Sequence, residues 1–106
     1  VTIPPKTTVK YYNEVSARTP NVDDFYRHFE VPGMSHCTGG RSGEPTSLFD
    51  QLRAWVENGT APESSPVEIT DLAGAVQNRI LCPYPQKAIF DEDCGTAAEA
   101  QCWTCV

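Results

Sequence analysis

The chain has 106 residues, with 40% in the hydrophobic group, 9 prolines, 7 glycines and 5 cysteines, which bounds it at one small domain or part of one. Acids outnumber bases 14 to 8, for a formal charge of −6, which argues against nucleic acid or an anionic membrane as main partner, since both need clustered Lys and Arg. No apolar run approaches the ~20 residues of a membrane span, and Val1 opens the sequence with neither Met nor a leader, as the interior of a longer polypeptide would.

Residues 1–6 are expected to be extended, because Pro4-Pro5 opposes a regular helix. Thr7 or Thr8 then caps a helix running to about Arg18. Val9, Tyr12 and Val15 sit at helical spacing, and Tyr11 widens the stripe. Thr19-Pro20-Asn21 ends it. Asp24 to Val31 alternates, with Phe25, Arg27, Phe29 and Val31 on one side and Tyr26, His28 and Glu30 on the other; this predicts a strand. Residues 32–46 hold four Gly and two Pro without a period, and read as a loop.

Thr46 or Ser47 caps a second helix to about Asn58, with a stripe of Leu48, Leu52, Trp55 and Val56. Asn58-Gly59 closes it and Pro62 prevents continuation. Residues 60–66 read as a polar link and Val67-Glu68-Ile69-Thr70 as a short strand. From Gln77 the chain is rich in Pro and Cys with little periodicity. Residues 1–59 thus read as loop, helix, strand, loop, helix. That is a slice of an α/β architecture, whose helix stripes must pack on strands that this chain does not contain.

Cys37, Cys82, Cys94, Cys102 and Cys105 form an odd set, so at least one cannot pair within the chain. Four of them lie in the last 25 residues, and Asn58-Gly59-Thr60 is a glycosylation sequon. Together these favour a secreted, extracellular protein with Asn58 as glycan acceptor. The odd cysteine points to a bond with another chain or another piece of the same precursor. Cys102-Trp103-Thr104-Cys105 also admits a redox dithiol, or half a zinc site with Cys82 and Cys94. Structural disulfides are the better reading, because a redox motif should precede a helix and thiolate zinc suits a reducing compartment. The four tail cysteines allow three pairings.

Of the two histidines, His28 lies inside the expected strand and reads as structural. His36 lies just past it in the Gly-rich loop, where residues carried on a rigid scaffold tend to do chemistry. The residues alone leave catalytic and structural roles for His36 level.

The stretch Phe29-Glu30-Val31-Pro32-Gly33-Met34-Ser35-His36-Cys37-Thr38-Gly39-Gly40 resembles the histidine motif of the tannase and feruloyl esterase family. Leu81-Cys82-Pro83-Tyr84-Pro85-Gln86 resembles that family's C-terminal signature. Ile3-Pro4-Pro5, Tyr11-Tyr12, Trp55-Val56-Glu57-Asn58-Gly59 and Ala61-Pro62 are similar to its other recurring features, in the same order. The resemblance covers nearly the whole chain.

It implies the C-terminal segment of an α/β-hydrolase, incomplete alone. Residues 1–59 would be part of the catalytic domain and residues 60–106 a disulfide-stapled extension of the same domain. The implied activity is that of a serine carboxylesterase on phenolic-acid esters, either gallates or hydroxycinnamates, in a proteolytically matured enzyme. The triad order Ser, Asp, His makes His36 the general acid–base and puts the Ser and the Asp upstream of Val1. Asp23 and Asp24 are set aside on position, and no G-x-S-x-G is present. Gly33, Gly39 and Gly40 would shape the loop, some with positive φ. Cys37 would bond to the cysteine beside the nucleophile, in the remaining chain of the enzyme. The resemblance also implies Cys82 with Cys105, through Trp103-Thr104-Cys105, which leaves Cys94 for Cys102. No cofactor or metal ligand is assigned here, since a family calcium site would belong to a lid outside this chain. The competing class is a small secreted Cys-rich binding module or inhibitor. Such a module should spread an even cysteine framework along its length, whereas Cys37 alone serves the first 80 residues.

Overall fold

A proline in the first turn sets where the first helix begins. The computed structural model describes residues 4–106, so the first three residues of the expected extended stretch lie outside it. Helix α1 spans Pro5–Arg18, with its cap at Pro4, three or four residues earlier than expected. Proline at the first helical position loses no hydrogen bond, because that N–H has no partner inside a helix. Pro4-Pro5 therefore starts the helix instead of forbidding it. Tyr12, 3% exposed, is the one buried residue of α1. Its hydroxyl donates to Asp23 Oδ1 at 2.5 Å, and its ring packs 5.2 Å from Tyr26 and 5.4 Å from Tyr84. Burial, then the Asp23 carboxylate, push the Tyr12 phenol up to about 12.

The strand expected over Asp24–Val31 does not form. Asn21 turns the chain with φ 55°, Val22–Asp24 is a 3-10 turn, and the segment beyond that turn carries one isolated bridge, Phe29 to Pro83. Alternation marks the backbone that a ladder would use, but a strand needs a neighbour on which to build one. Here the partner is a single point, with the Tyr84 N–H donating to the His28 carbonyl at 2.7 Å. The His28 ring sits between Tyr12 and Tyr84, and its Nε2 is buried without a hydrogen-bond partner.

Helix α2 spans Leu48–Asn58 and closes on Gly59 at φ 72°, in agreement with the expected boundaries. Only part of its stripe is covered. Trp55 lies under the Arg27 guanidinium, 5.5 Å from the ring centre. Phe49, Leu52 and Val56 are 71%, 54% and 78% exposed.

Strands β1 (Ser65–Thr70) and β2 (Val76–Leu81) form an antiparallel hairpin, in register from Ser65↔Leu81 to Thr70↔Val76. The short strand expected at Val67 begins two residues earlier, and the sequence pattern does not predict β2. That pattern, VQNRIL, lacks an apolar face because Gln77 and Arg79 occupy the half-buried positions. Arg79 lays its guanidinium over the Trp103 ring at 4.5 Å. Asp71 closes the turn by accepting the Ala73 and Ala75 N–H groups at 2.8 and 2.9 Å.

Strands β3 (Ala88–Phe90) and β4 (Trp103–Cys105) make a second small antiparallel pair. Disulfides Cys82–Cys105 and Cys94–Cys102 staple it, so the C-x-x-C residues bond to different partners and form neither a dithiol nor a zinc site. Among the described residues the buried apolar ones are few: Tyr12, Val22, Val67, Leu81, Cys82 and Cys102. The chain exposes 7547 Å², against about 5,900 Å² for a self-contained folded monomer of its mass. Its radius of gyration is 14.8 Å, where a closed domain of this length has about 13 Å.

Two outcomes are expected. Replacing Cys94 and Cys102 together by Ala should lower the urea midpoint, by about 2–3 kcal/mol in stability, through a less constrained unfolded state. The Asp71 carboxyl is held below its ordinary value of 3.8, chiefly by the Ala75 N–H. Its contribution is therefore present above about pH 4 and is lost as pH falls through the folded value. Asp71→Ala should lower stability at pH 7 and flatten the acid limb of stability against pH, measured by urea unfolding across the range.

Candidate active site

The histidine loop is a narrow-necked excursion built on glycine. The Arg41 N–H donates to the Gly33 carbonyl at 2.9 Å and the Ser35 N–H to the Gly39 carbonyl at 2.9 Å, with Met34 and Gly40 bridged across the neck. Gly33, Gly39 and Gly40 have φ of 81°, 83° and 90°, the left-handed region where a Cβ is penalised. Gly40 carries a second constraint. A Cβ there would run into the Gly33 carbonyl and lie 2.9 Å from the Ser35 nitrogen. At Gly39 only the dihedral matters, because the space is open.

His36, Cys37 and Thr38 occupy the exposed tip. The Thr38 N–H donates to the His36 carbonyl at 2.8 Å, spanning Cys37 at φ 66°. This three-residue turn puts a non-glycine residue in a strained conformation. It brings the Cys37 sulfur within 3.0 Å of His36 Nδ1 and 3.9 Å of Nε2. Cys37 is the free, exposed cysteine. An imidazole offers one donor and one acceptor nitrogen, and here the loop holds it outward with one nitrogen engaged by its neighbour.

The other residues singled out in the sequence lie elsewhere. Asp23 is engaged by Tyr12 and lines a cleft of about 540 Å³ with Arg27, Tyr84 and Trp103; His36 is not part of it. Asp24 ends the 3-10 turn. Asn58 is the exposed last residue of α2. Among the described residues, no three His, Cys, Asp or Glu side chains are grouped to hold a metal ion. Sequence reasoning missed the return limb of the loop, where Ser42 bridges Ile69 of β1. Gly43, the fourth glycine of the loop, was the available signal.

Comparison with known proteins gives the family and the fold. The family model for tannase and feruloyl esterase matches residues 1–106, and the chain belongs to that family. Mono(2-hydroxyethyl) terephthalate hydrolase of Piscinibacter sakaiensis is 38% identical over 104 residues, covering 90% of this chain and 17% of the relative. Feruloyl esterase B of Aspergillus niger is 33% identical over 109 residues, covering 89% and 21%. These relatives are carboxylic ester hydrolases, and the chain spans about a fifth of their length. The crystal structure of feruloyl esterase B from Aspergillus oryzae superposes with a TM-score of 0.77 at 24% identity, over 98% of this chain and 24% of that one. The two share a fold of mixed helices and strands.

Gly40→Ala should open the neck. We expect faster hydrogen exchange at the Ser35 and Arg41 amides and a loss of about 1–3 kcal/mol in urea unfolding. Gly39→Ala should cost about 1 kcal/mol, for the dihedral alone.

Proposed function

We propose that this chain supplies the catalytic histidine of a secreted serine carboxylesterase that hydrolyses phenolic-acid esters, either gallates or hydroxycinnamates. The observation that carries the reading is His36 held outward on a glycine-built loop, in a chain that matches the family along its whole length. In this reading the fold is an α/β-hydrolase. Residues 1–59 belong to its catalytic domain and residues 60–106 form a stapled extension of it. The exposed α2 face and the excess surface support such an incomplete body.

His36 would take the proton of a serine hydroxyl as the serine attacks the ester carbonyl. It would return that proton to the departing alcohol, then activate water for deacylation. A carboxylate outside this chain would orient Nδ1. Cys37 would bond to a cysteine beside the serine in the remaining chain, drawing the loop within the ~4.4–6.8 Å Cα separation a disulfide allows. Its sulfur would then no longer occupy Nδ1. The free, exposed thiol supports that bond. The two disulfides and the exposed Asn58 sequon support secretion with a glycan at Asn58. A calcium ion in the family's lid would lie outside this chain, and no step here uses it. The rival reading, a free-standing Cys-rich module, is less well supported, since a module should close its own core.

In the full-length enzyme, His36→Ala should reduce kcat on methyl gallate or methyl ferulate by on the order of 10³ or more. His28→Ala should leave kcat within about twofold, with any loss appearing in stability. Equal, small losses in both variants would sink the assignment. Non-reduced peptide mapping checks the thiol: the Cys37 peptide should be linked to a peptide outside this chain.

A further inference from the structure

We infer that Gly43 is a positioning residue for His36, docking the return limb of the histidine loop onto the free edge of β1. The inference rests on the proposed role of His36. It goes further by tying that residue to the stapled tail.

The contact is a short piece of antiparallel sheet. Ser42 pairs with Ile69. On either side, the Gly43 N–H donates to the Glu68 carbonyl at 2.6 Å and the Thr70 N–H to the Arg41 carbonyl at 3.2 Å. Ser42, between them, is 6% exposed. Gly43 has no positive φ, unlike Gly33, Gly39 and Gly40, so its backbone would accept other residues. Space is what excludes them. A Cβ on Gly43 would lie 2.6 Å from the Glu68 carbonyl oxygen and 3.5 Å from its carbon. Both are backbone atoms of a paired strand and cannot swing aside as a side chain would. The limb or the strand must move.

The position is mechanically direct. Only Ser42 lies between Gly43 and Arg41, whose N–H closes the neck of the loop on Gly33. The outgoing limb is held by the same half of the chain, where Tyr84 donates to His28 and Phe29 bridges Pro83. The outgoing limb is thus anchored inside the segment stapled by Cys82–Cys105, and the return limb on β1, whose partner β2 runs directly into Cys82. A misplacement of about 1 Å at a catalytic group costs up to ~10²-fold in rate, and that is the scale of shift the added Cβ imposes.

The test uses the full-length enzyme with three variants. Gly43→Ala introduces the clash. Thr70→Pro removes only the N–H that points at Arg41, away from β2, and serves if Gly43→Ala fails to fold. Gly74→Ala strains a glycine at the distant hairpin turn, where φ is 86° and the space is open, and controls for general destabilisation. The readouts are kcat, KM and the NMR signals of the His36 ring. Gly43→Ala or Thr70→Pro should lower kcat by about tenfold or more, leave KM within about twofold and shift the His36 signals. Gly74→Ala should lower stability without either change. Unshifted His36 signals in a folded Gly43→Ala or Thr70→Pro variant, or equal shifts in Gly74→Ala, would overturn the inference. If His36→Ala proves active, the proposed function fails, and the His36 signals still decide whether Gly43 positions the loop.

Discussion

Backbone hydrogen bonds from the C-terminal half hold the two limbs of the histidine loop in place. The loop has almost no side-chain packing of its own: His36, Cys37, Thr38, Gly39 and Gly40 are exposed. An apolar core cannot hold such a segment. Main-chain bonds can, provided the chains approach closely enough, and glycine at Gly40 and Gly43 removes the atoms that would prevent it. The tip is then free to present an imidazole and a thiol, while its stem is tied to paired backbone.

The same constraint accounts for the tail. Residues 88–105 are poor in large apolar side chains, and β3 and β4 are three residues each, too short to persist alone. Two disulfides compensate by limiting the unfolded ensemble. Arg79 and Phe90 packed on Trp103 add what local burial there is. A tail stabilised by covalent closure can serve as an anchor without contributing a large core. Tyr12, Tyr26, His28 and Tyr84 complete the link, joining α1 to the tail through aromatic contacts at 5.2–6.4 Å.

What the chain does not bury is equally informative. The exposed side chains of Phe49, Leu52 and Val56 occupy one sector of α2, beside the charged sector of Arg53, Glu57 and Asp50. An amphipathic helix whose apolar sector faces water has its partner elsewhere. Six apolar residues are buried among those described and the surface is well above that of a closed domain, which supports the proposal that the chain is part of a larger body. Its coverage of about a fifth of its relatives agrees.

Features that local chemistry decides could be read directly from the residues. Helix α2, with its stripe and Gly59 stop, was legible, and so was the glycine-rich histidine loop, because turn residues act through their own dihedrals. The family was legible from motif order. The rest depended on contacts between segments distant in sequence. The alternating segment around Phe29 predicts a strand, yet strand formation depends on a neighbour's backbone, which alternation cannot supply. β2 was invisible because its polar Arg79 finds cover only once Trp103 is in place to receive the guanidinium. The start of α1 turned on Pro5 meeting an unneeded donor site. Gly43 was legible only as a fourth loop glycine; its role was not, since its missing Cβ matters only because the Glu68 carbonyl, 25 residues away in sequence, occupies that space.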